Sequence, residues 1–177
     1  MLTLANRLTI LLILMTPVIT VLLMYRQTGV ALALFLLAGI TDGLDGFLAR
    51  YRKEKTTLGM VLDPVADKLL LMSAVVTLTI LKELPRWFAI IVVSRDVLLI
   101  GGSVILYMFL GKMAMPPSWL GKATTGFQLI TVLWAMLDDF LPHITPAIFP
   151  LTVVTLVLTI ASGLHYIYRG ARLLNDQ

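Results

Sequence analysis

The chain has 177 residues, of which 59% are hydrophobic, and its mean hydropathy is +0.95. These values exclude an ordinary soluble domain and indicate an integral membrane protein. The modest net charge of +4 fits membrane topology and contact with anionic lipid, and does not favour nucleic-acid binding. No linker or repeat divides the sequence, so we expect a single membrane domain over residues 1–177.

Six apolar stretches predict six transmembrane helices. Each stretch is close to the roughly 20 residues that a helix needs to cross a bilayer. They cover residues 8–24, 30–48, 58–81, 87–110, 119–137 and 148–167. The predicted fold class is therefore an all-α integral membrane protein with six transmembrane helices.

The positions of Lys and Arg predict the orientation of these helices. With six spans both termini lie on one side of the membrane, and nine cations fall on that side against three on the other. Because cytoplasmic loops carry the excess of cations, we expect both termini and the 50–57 loop in the cytoplasm. The nine are Arg7, Arg50, Arg52, Lys53, Lys55, Lys112, Lys122, Arg169 and Arg172, and the three are Arg26, Lys82 and Arg86.

Four aspartates interrupt the second and third stretches. A carboxylate inside a membrane segment costs roughly 2.5–3.5 kcal/mol, so such residues are functional candidates. Asp42 and Asp45 are three residues apart and Asp63 and Asp67 are four apart, so in helices each pair lies on one face. Four carboxylates at a shared point repel one another unless cations neutralise them, and oxygen ligands suit Mg²⁺ or Mn²⁺. We therefore predict a polar cavity, open to the cytoplasm, that holds divalent cations.

Small residues and one arginine accompany the aspartates. Gly46, Ala49 and Gly59 leave room for a ligand to approach the helix backbone closely. Arg50 stays protonated and is suited to a diphosphate oxygen. Divalent cations together with an arginine are what a diphosphate leaving group requires.

The two halves of this motif have a fixed spacing. They read Asp42-x-x-Asp45-Gly46-x-x-Ala49-Arg50 and, eight residues later, Gly59-x-x-x-Asp63-x-x-x-Asp67. At all eight positions the motif resembles the signature of the CDP-alcohol phosphatidyltransferase family, and the remaining apolar stretches supply the helix number expected of that family.

The resemblance implies a reaction and roles for the motif residues. An alcohol is expected to attack the β-phosphorus of CDP-diacylglycerol, with CMP leaving, in a transferase reaction of phospholipid biosynthesis. The four aspartates are expected to hold two Mg²⁺ ions, or Mn²⁺, and Asp67 also to act as general base. Gly46, Ala49 and Gly59 are expected to accommodate the cytidine nucleotide and Arg50 to contact phosphate. The resemblance also implies a homodimer.

Three cations outside the motif are candidates for binding the acceptor alcohol. Lys68 follows Asp67 and either binds phosphate or offsets charge. Arg95 stands beside Asp96 in the fourth stretch, where the two either contact the acceptor or form a structural ion pair. Lys122 begins the fifth helix on the cytoplasmic side, where it either faces the acceptor or serves topology alone.

The identity of the acceptor depends on the number of cations. Residues 118–128, SWLGKATTGFQ, resemble phosphatidylglycerophosphate synthases, whereas SRDVLLI and AGITDGLDGFLAR resemble cardiolipin synthases. The first group accepts glycerol-3-phosphate, a dianion, and typically carries a further Arg and a further Lys where this chain has Ser103 and Thr124. We therefore expect a glycerol-type acceptor, with phosphatidylglycerol favoured over glycerol-3-phosphate.

Three other interpretations stay open. The acids can form a solvated charge run or structural ion pairs. A membrane prenyltransferase also uses aspartate clusters with Mg²⁺, but it normally has more helices and more distant motifs. An ion or proton carrier needs intramembrane acids, but not the Gly, Ala and Arg pattern. Release of CMP from a CDP-lipid separates the prenyltransferase and the carrier from the transferase.

Overall fold

The described residues of the computed structural model form six helices and no strand. The structure describes the backbone of residues 4–52, 57–110, 118–141 and 145–175, and the side chains of residues 9–41, 65–103, 108, 118–141 and 146–172. The helices are α1 (Leu4–Met24), α2 (Thr28–Arg52), α3 (Thr57–Ile80), α4 (Arg86–Leu110), α5 (Trp119–Leu137) and α6 (Thr145–Asn175). Each predicted stretch corresponds to one helix, which confirms the all-α class.

The helices group into two compact units, Met1–Glu83 and Leu84–Gln177. In the first unit α1 packs against both α2 and α3, and in the second α6 packs against both α4 and α5. Small side chains are buried in the first unit: Ala31, Ala38, Ala66 and Ala74 are each at most 3% exposed. Alanine lets neighbouring helix backbones approach closely, which is how helices associate when the surroundings are apolar.

Helices α1 and α3 end in the same way. The second residue beyond each helix, Arg26 or Lys82, has a positive φ, 59° and 68° respectively. The following amide N–H donates back to a carbonyl five residues earlier at 2.9 Å, which is the Schellman arrangement that usually uses glycine. Arg26 also donates from Nη1 to Glu83 Oε1 at 2.7 Å. Because this ion pair joins the two ends, α1 and α3 run in the same direction.

Helices α5 and α6 bury a row of polar side chains between them. Thr131 Oγ1 lies 2.9 Å from Thr155 Oγ1, and Gln128 Nε2 donates to Thr159 Oγ1 at 3.4 Å. Each residue of the row is at most 2% exposed. The row, which we call the polar ladder, comprises Thr124, Gln128, Thr131, Thr152, Thr155, Thr159 and Ser162.

One helix among the described segments is long and apolar enough to cross a membrane. It lies within α6, at Pro146–Arg172, with a mean hydropathy of 2.1, while Thr9–Met24 and Thr28–Thr41 are shorter apolar helices. Large apolar side chains on α6 are exposed, for example Val157 at 60% and Leu164 at 63%. Such a surface is unusual in water and ordinary in lipid. The six-span arrangement and its orientation stay predictions.

Candidate active site

The two halves of the acidic motif lie on two continuous helices of the first unit. Positions 42 and 45 belong to α2, and positions 63 and 67 belong to α3. The predicted helical register is therefore confirmed, and each pair of positions shares a helix face. The side chains of residues 42–64 lie outside the described part; they include Asp42, Asp45, Asp63 and the predicted nucleotide-binding residues Gly46, Ala49, Arg50 and Gly59.

Asp67 is the one predicted metal ligand whose side chain is described. It is exposed on α3, whereas Ala66 before it and Leu70 after it are buried. The helix thus presents Asp67 on the side away from its packed face. Lys68 is half-buried. The described side chains contain no group of three or more His, Asp or Glu suited to a metal, and they include only this one of the four predicted ligands.

Arg95 and Asp96 form a buried ion pair in the second unit. Arg95 Nη1 donates to Asp96 Oδ1 at 2.7 Å, and Nη2 donates to Ser162 Oγ on α6, also at 2.7 Å. The side chains of Arg95 and Asp96 are 5% and 0% exposed. Pairing and hydrogen bonding offset the large cost of removing two charges from water. The pairing of Arg95 with Asp96 is therefore observed, and contact of Arg95 with the acceptor stays a prediction.

The Arg95 side chain also lies against the first turn of α5. A Cβ atom added at Gly121 would lie 3.2 Å from Ser118 Oγ and 3.5 Å from Arg95 Nη2, and one added at Gly163 would lie 3.7 Å from Arg95 Cγ. Ser118 caps α5 by accepting the Gly121 N–H at 3.0 Å. The exposed Lys122 follows Gly121 directly. It therefore belongs to the helix turn that Ser118 caps and that Arg95 lies against.

Positions 103 and 124, where phosphatidylglycerophosphate synthases typically carry a further Arg and a further Lys, have different environments in this chain. Ser103 is exposed, and its Oγ lies 2.6 Å from Tyr166 Oη on α6. The Tyr166 ring covers Gly102, where an added Cβ would lie 3.0 Å from Cε1. Thr124 is fully buried in the polar ladder and donates to Leu158 O at 3.1 Å. A longer side chain therefore has access to the surface at position 103, whereas position 124 is enclosed.

Sequence reasoning missed Ser162 as the partner of Arg95, and with it the polar ladder. A signal was available. Hydroxylated residues on α6 recur at spacings of three, four and three residues, at positions 152, 155, 159 and 162, within an otherwise apolar helix. That period marks one helix face and predicts a buried polar contact.

The chain is similar to known proteins over most of its length. The family model described as CDP-alcohol phosphatidyltransferase matches residues 2–162. A "Probable phosphatidylglycerophosphate synthase" of Mycobacterium tuberculosis is 33% identical over 176 residues, covering 96% of this chain and 82% of the relative. A "Probable cardiolipin synthase (CMP-forming)" of Drosophila melanogaster is 36% identical, covering 93% and 56%. A "Cardiolipin synthase (CMP-forming)" of Homo sapiens is 33% identical, covering 73% and 48%.

Proposed function

Since this chain belongs to the CDP-alcohol phosphatidyltransferase family, we propose that it transfers a phosphatidyl group from CDP-diacylglycerol to a glycerol-type alcohol and releases CMP. The observation that carries the proposal is the match of the family model over residues 2–162. The helical register of both motif halves, on α2 and α3, supports the site. The named relatives include both acceptor classes, so they support the reaction without choosing between its acceptors.

The proposed cofactor is a pair of Mg²⁺ ions, for which Mn²⁺ can substitute. The donor set fits, because four carboxylates at helical spacing provide only oxygen ligands. Asp42, Asp45, Asp63 and Asp67 would hold the ions. When bound, the ions supply positive charge to the diphosphate and to the leaving CMP.

The chain's own residues bind, orient and move a proton. Asp67 takes the proton from the acceptor hydroxyl as that oxygen bonds to the β-phosphorus, and the bond from this phosphorus to the oxygen of CMP breaks. The exposure of Asp67 on α3 supports this role, because a general base must reach its substrate. Arg50 contacts phosphate, and Gly46, Ala49 and Gly59 accommodate the nucleotide.

The favoured acceptor is phosphatidylglycerol, as in cardiolipin synthases. Lys68, Arg95 and Lys122 belong to the proposed acceptor site. The charge of Arg95 is already compensated by Asp96 at 2.7 Å, and positions 103 and 124 are neutral. A dianion such as glycerol-3-phosphate would meet less positive charge there than it needs, whereas the free glycerol end of phosphatidylglycerol requires mainly hydrogen bonds.

The proposed setting is a single membrane domain, 1–177, with six transmembrane helices, both termini and a polar cavity on the cytoplasmic side, and a homodimeric assembly. The apolar α6 supports membrane insertion. The joined ends of α1 and α3 support an alternating path, because both helices must then cross in the same direction. The excess of cations on one side supports the orientation.

The test is CMP release by the purified full chain in detergent micelles with CDP-diacylglycerol and Mg²⁺. Phosphatidylglycerol and glycerol-3-phosphate are supplied separately, and Asp67→Asn is the inactive control. Release with phosphatidylglycerol alone supports the favoured acceptor. Release with glycerol-3-phosphate alone overturns the charge argument but keeps the reaction, and no release with either removes the proposed glycerol-type function.

A further inference from the structure

Besides its hydrogen bonds to Asp96 and Ser162, the Arg95 side chain lies close to the first turn of α5. Its Nη1 donates to Asp96 on its own helix and its Nη2 donates to Ser162 on α6, both at 2.7 Å. Two hydrogen bonds from the planar guanidinium fix its orientation.

The first turn of α5 lies against the Arg95 guanidinium. A Cβ added at Gly121 would lie 3.2 Å from Ser118 Oγ, a tight approach, and 3.5 Å from Arg95 Nη2, an ordinary contact distance. The Gly121 N–H donates to the same Ser118 Oγ at 3.0 Å and so caps this turn. Lys122 is the next residue, and it is exposed.

We infer that Arg95 is a positioning residue, which serves the acceptor site by holding the first turn of α5, and with it Lys122, in place. The inference rests on the proposed function, because it needs Lys122 to contact the acceptor. The opposing possibility is direct contact. Arg95 Nε is buried and has no hydrogen-bond partner among the described residues, so it is the atom that an acceptor oxygen would have to reach.

A double-mutant cycle separates the two possibilities. Lys122→Ala is expected to raise the KM for the acceptor at least about tenfold, the effect of losing one charge-assisted hydrogen bond. Arg95→Lys keeps the charge but loses the fork, and it is expected to raise the same KM with the KM for CDP-diacylglycerol unchanged. In the Lys122→Ala background, Arg95→Lys is expected to have no further effect on that KM. Effects that multiply would overturn the inference and assign Arg95 to direct contact.

Two glycine variants make the test independent of the folding of Arg95→Lys. Gly121→Ala changes no charge but places a Cβ 3.2 Å from Ser118 Oγ, in the turn that lies against Arg95, and it is expected to reproduce the rise in acceptor KM. Gly126→Ala is the matched control on the same helix, because no atom lies within 4 Å of the added Cβ. Equal kinetics for both glycine variants would refute the positioning role. Absence of CMP release by the unmodified chain would instead refute the proposed function.

Discussion

Removing one partner of the buried Arg95–Asp96 pair is expected to destabilise the second unit strongly. Arg95→Met leaves the Asp96 carboxylate, which is 0% exposed, without the guanidinium at 2.7 Å. Breaking a buried pair in this way costs about 3–5 kcal/mol. The double variant Arg95→Met with Asp96→Leu removes both charges and is expected to recover most of that loss, because the replacements are apolar and of similar volume.

Tryptophan fluorescence can follow this change selectively. All three tryptophans of the chain, Trp87, Trp119 and Trp134, belong to the second unit. Thermal unfolding in micelles is then expected to show a melting temperature for Arg95→Met lower by roughly 10 °C, since about 1 kcal/mol corresponds to about 2–4 °C in a chain of this size.

Arg86→Met is the matched control for the loss of a cation. Arg86 begins the same helix and is exposed, so its replacement is expected to change stability by less than about 0.5 kcal/mol. If Arg95→Met melts with the control, the pair contributes no net stability. If the double variant is as unstable as the single one, the loss comes from packing and hydrogen bonds rather than from an uncompensated charge.

Three further predictions concern the caps, the polar ladder and the metal. Lys82→Gly is expected to stabilise the chain by about 1 kcal/mol, because glycine adopts positive φ without steric cost, whereas Arg26→Gly also loses an ion pair and gains less; circular dichroism measures both. Thr131→Val is expected to cost about 1 kcal/mol in tryptophan-monitored unfolding, against less than about 0.5 kcal/mol for Thr125→Val, whose hydroxyl donates within α5. EDTA is expected to abolish CMP release and Mg²⁺ to restore it, and Asp67→Asn is expected to lower release at least about 100-fold. Unchanged stability of Lys82→Gly would contradict the argument about the helix cap. Equal losses of stability in the two threonine variants would contradict the argument about the polar ladder, and full CMP release in EDTA would contradict the metal requirement.

The helices could be predicted from the sequence because their signal is local. Apolar runs near 20 residues and the three- and four-residue spacing of the aspartates depend only on helix geometry. The observed α2 extends to Arg52 and α6 to Asn175, beyond the predicted ends at 48 and 167. Those ends are predicted from apolarity alone, whereas the observed helices continue through the polar residues that follow.

Pairings between helices could not be predicted in the same way. Arg95 and Ser162 are 67 residues apart, and nothing near either residue specifies the other. Asp96 is the next residue, so the sequence offers the ion pair as one alternative, but the closeness of Arg95 to the first turn of α5 depends on how α4, α5 and α6 pack. The positive φ at Arg26 and Lys82 was equally hidden, since long cations rarely take a position that usually belongs to glycine.

The same limit applies to the cation positions on which the acceptor prediction relies. In the sequence, Ser103 and Thr124 look equivalent, because each is a neutral residue where phosphatidylglycerophosphate synthases typically carry a cation. In the structure they differ, because Ser103 is exposed and Thr124 is fully buried against α6. An arginine at 103 therefore has space at the surface beside the Tyr166 hydroxyl, whereas a lysine at 124 would have to bury an ammonium group beside the Leu158 carbonyl.

Restoring each cation tests which position governs the acceptor. Ser103→Arg is expected to leave stability nearly unchanged and to raise the ratio of kcat/KM for glycerol-3-phosphate to that for phosphatidylglycerol, by roughly tenfold if one charge-assisted hydrogen bond forms. Thr124→Lys is expected to destabilise the second unit by several kcal/mol without changing that ratio, with Thr124→Val as the uncharged control. A stable Thr124→Lys protein that gains glycerol-3-phosphate activity would show that position 124 faces the acceptor. An unchanged ratio for Ser103→Arg would show that charge at 103 does not select the acceptor, and the preference for phosphatidylglycerol would then rest on the neutralisation of Arg95 by Asp96.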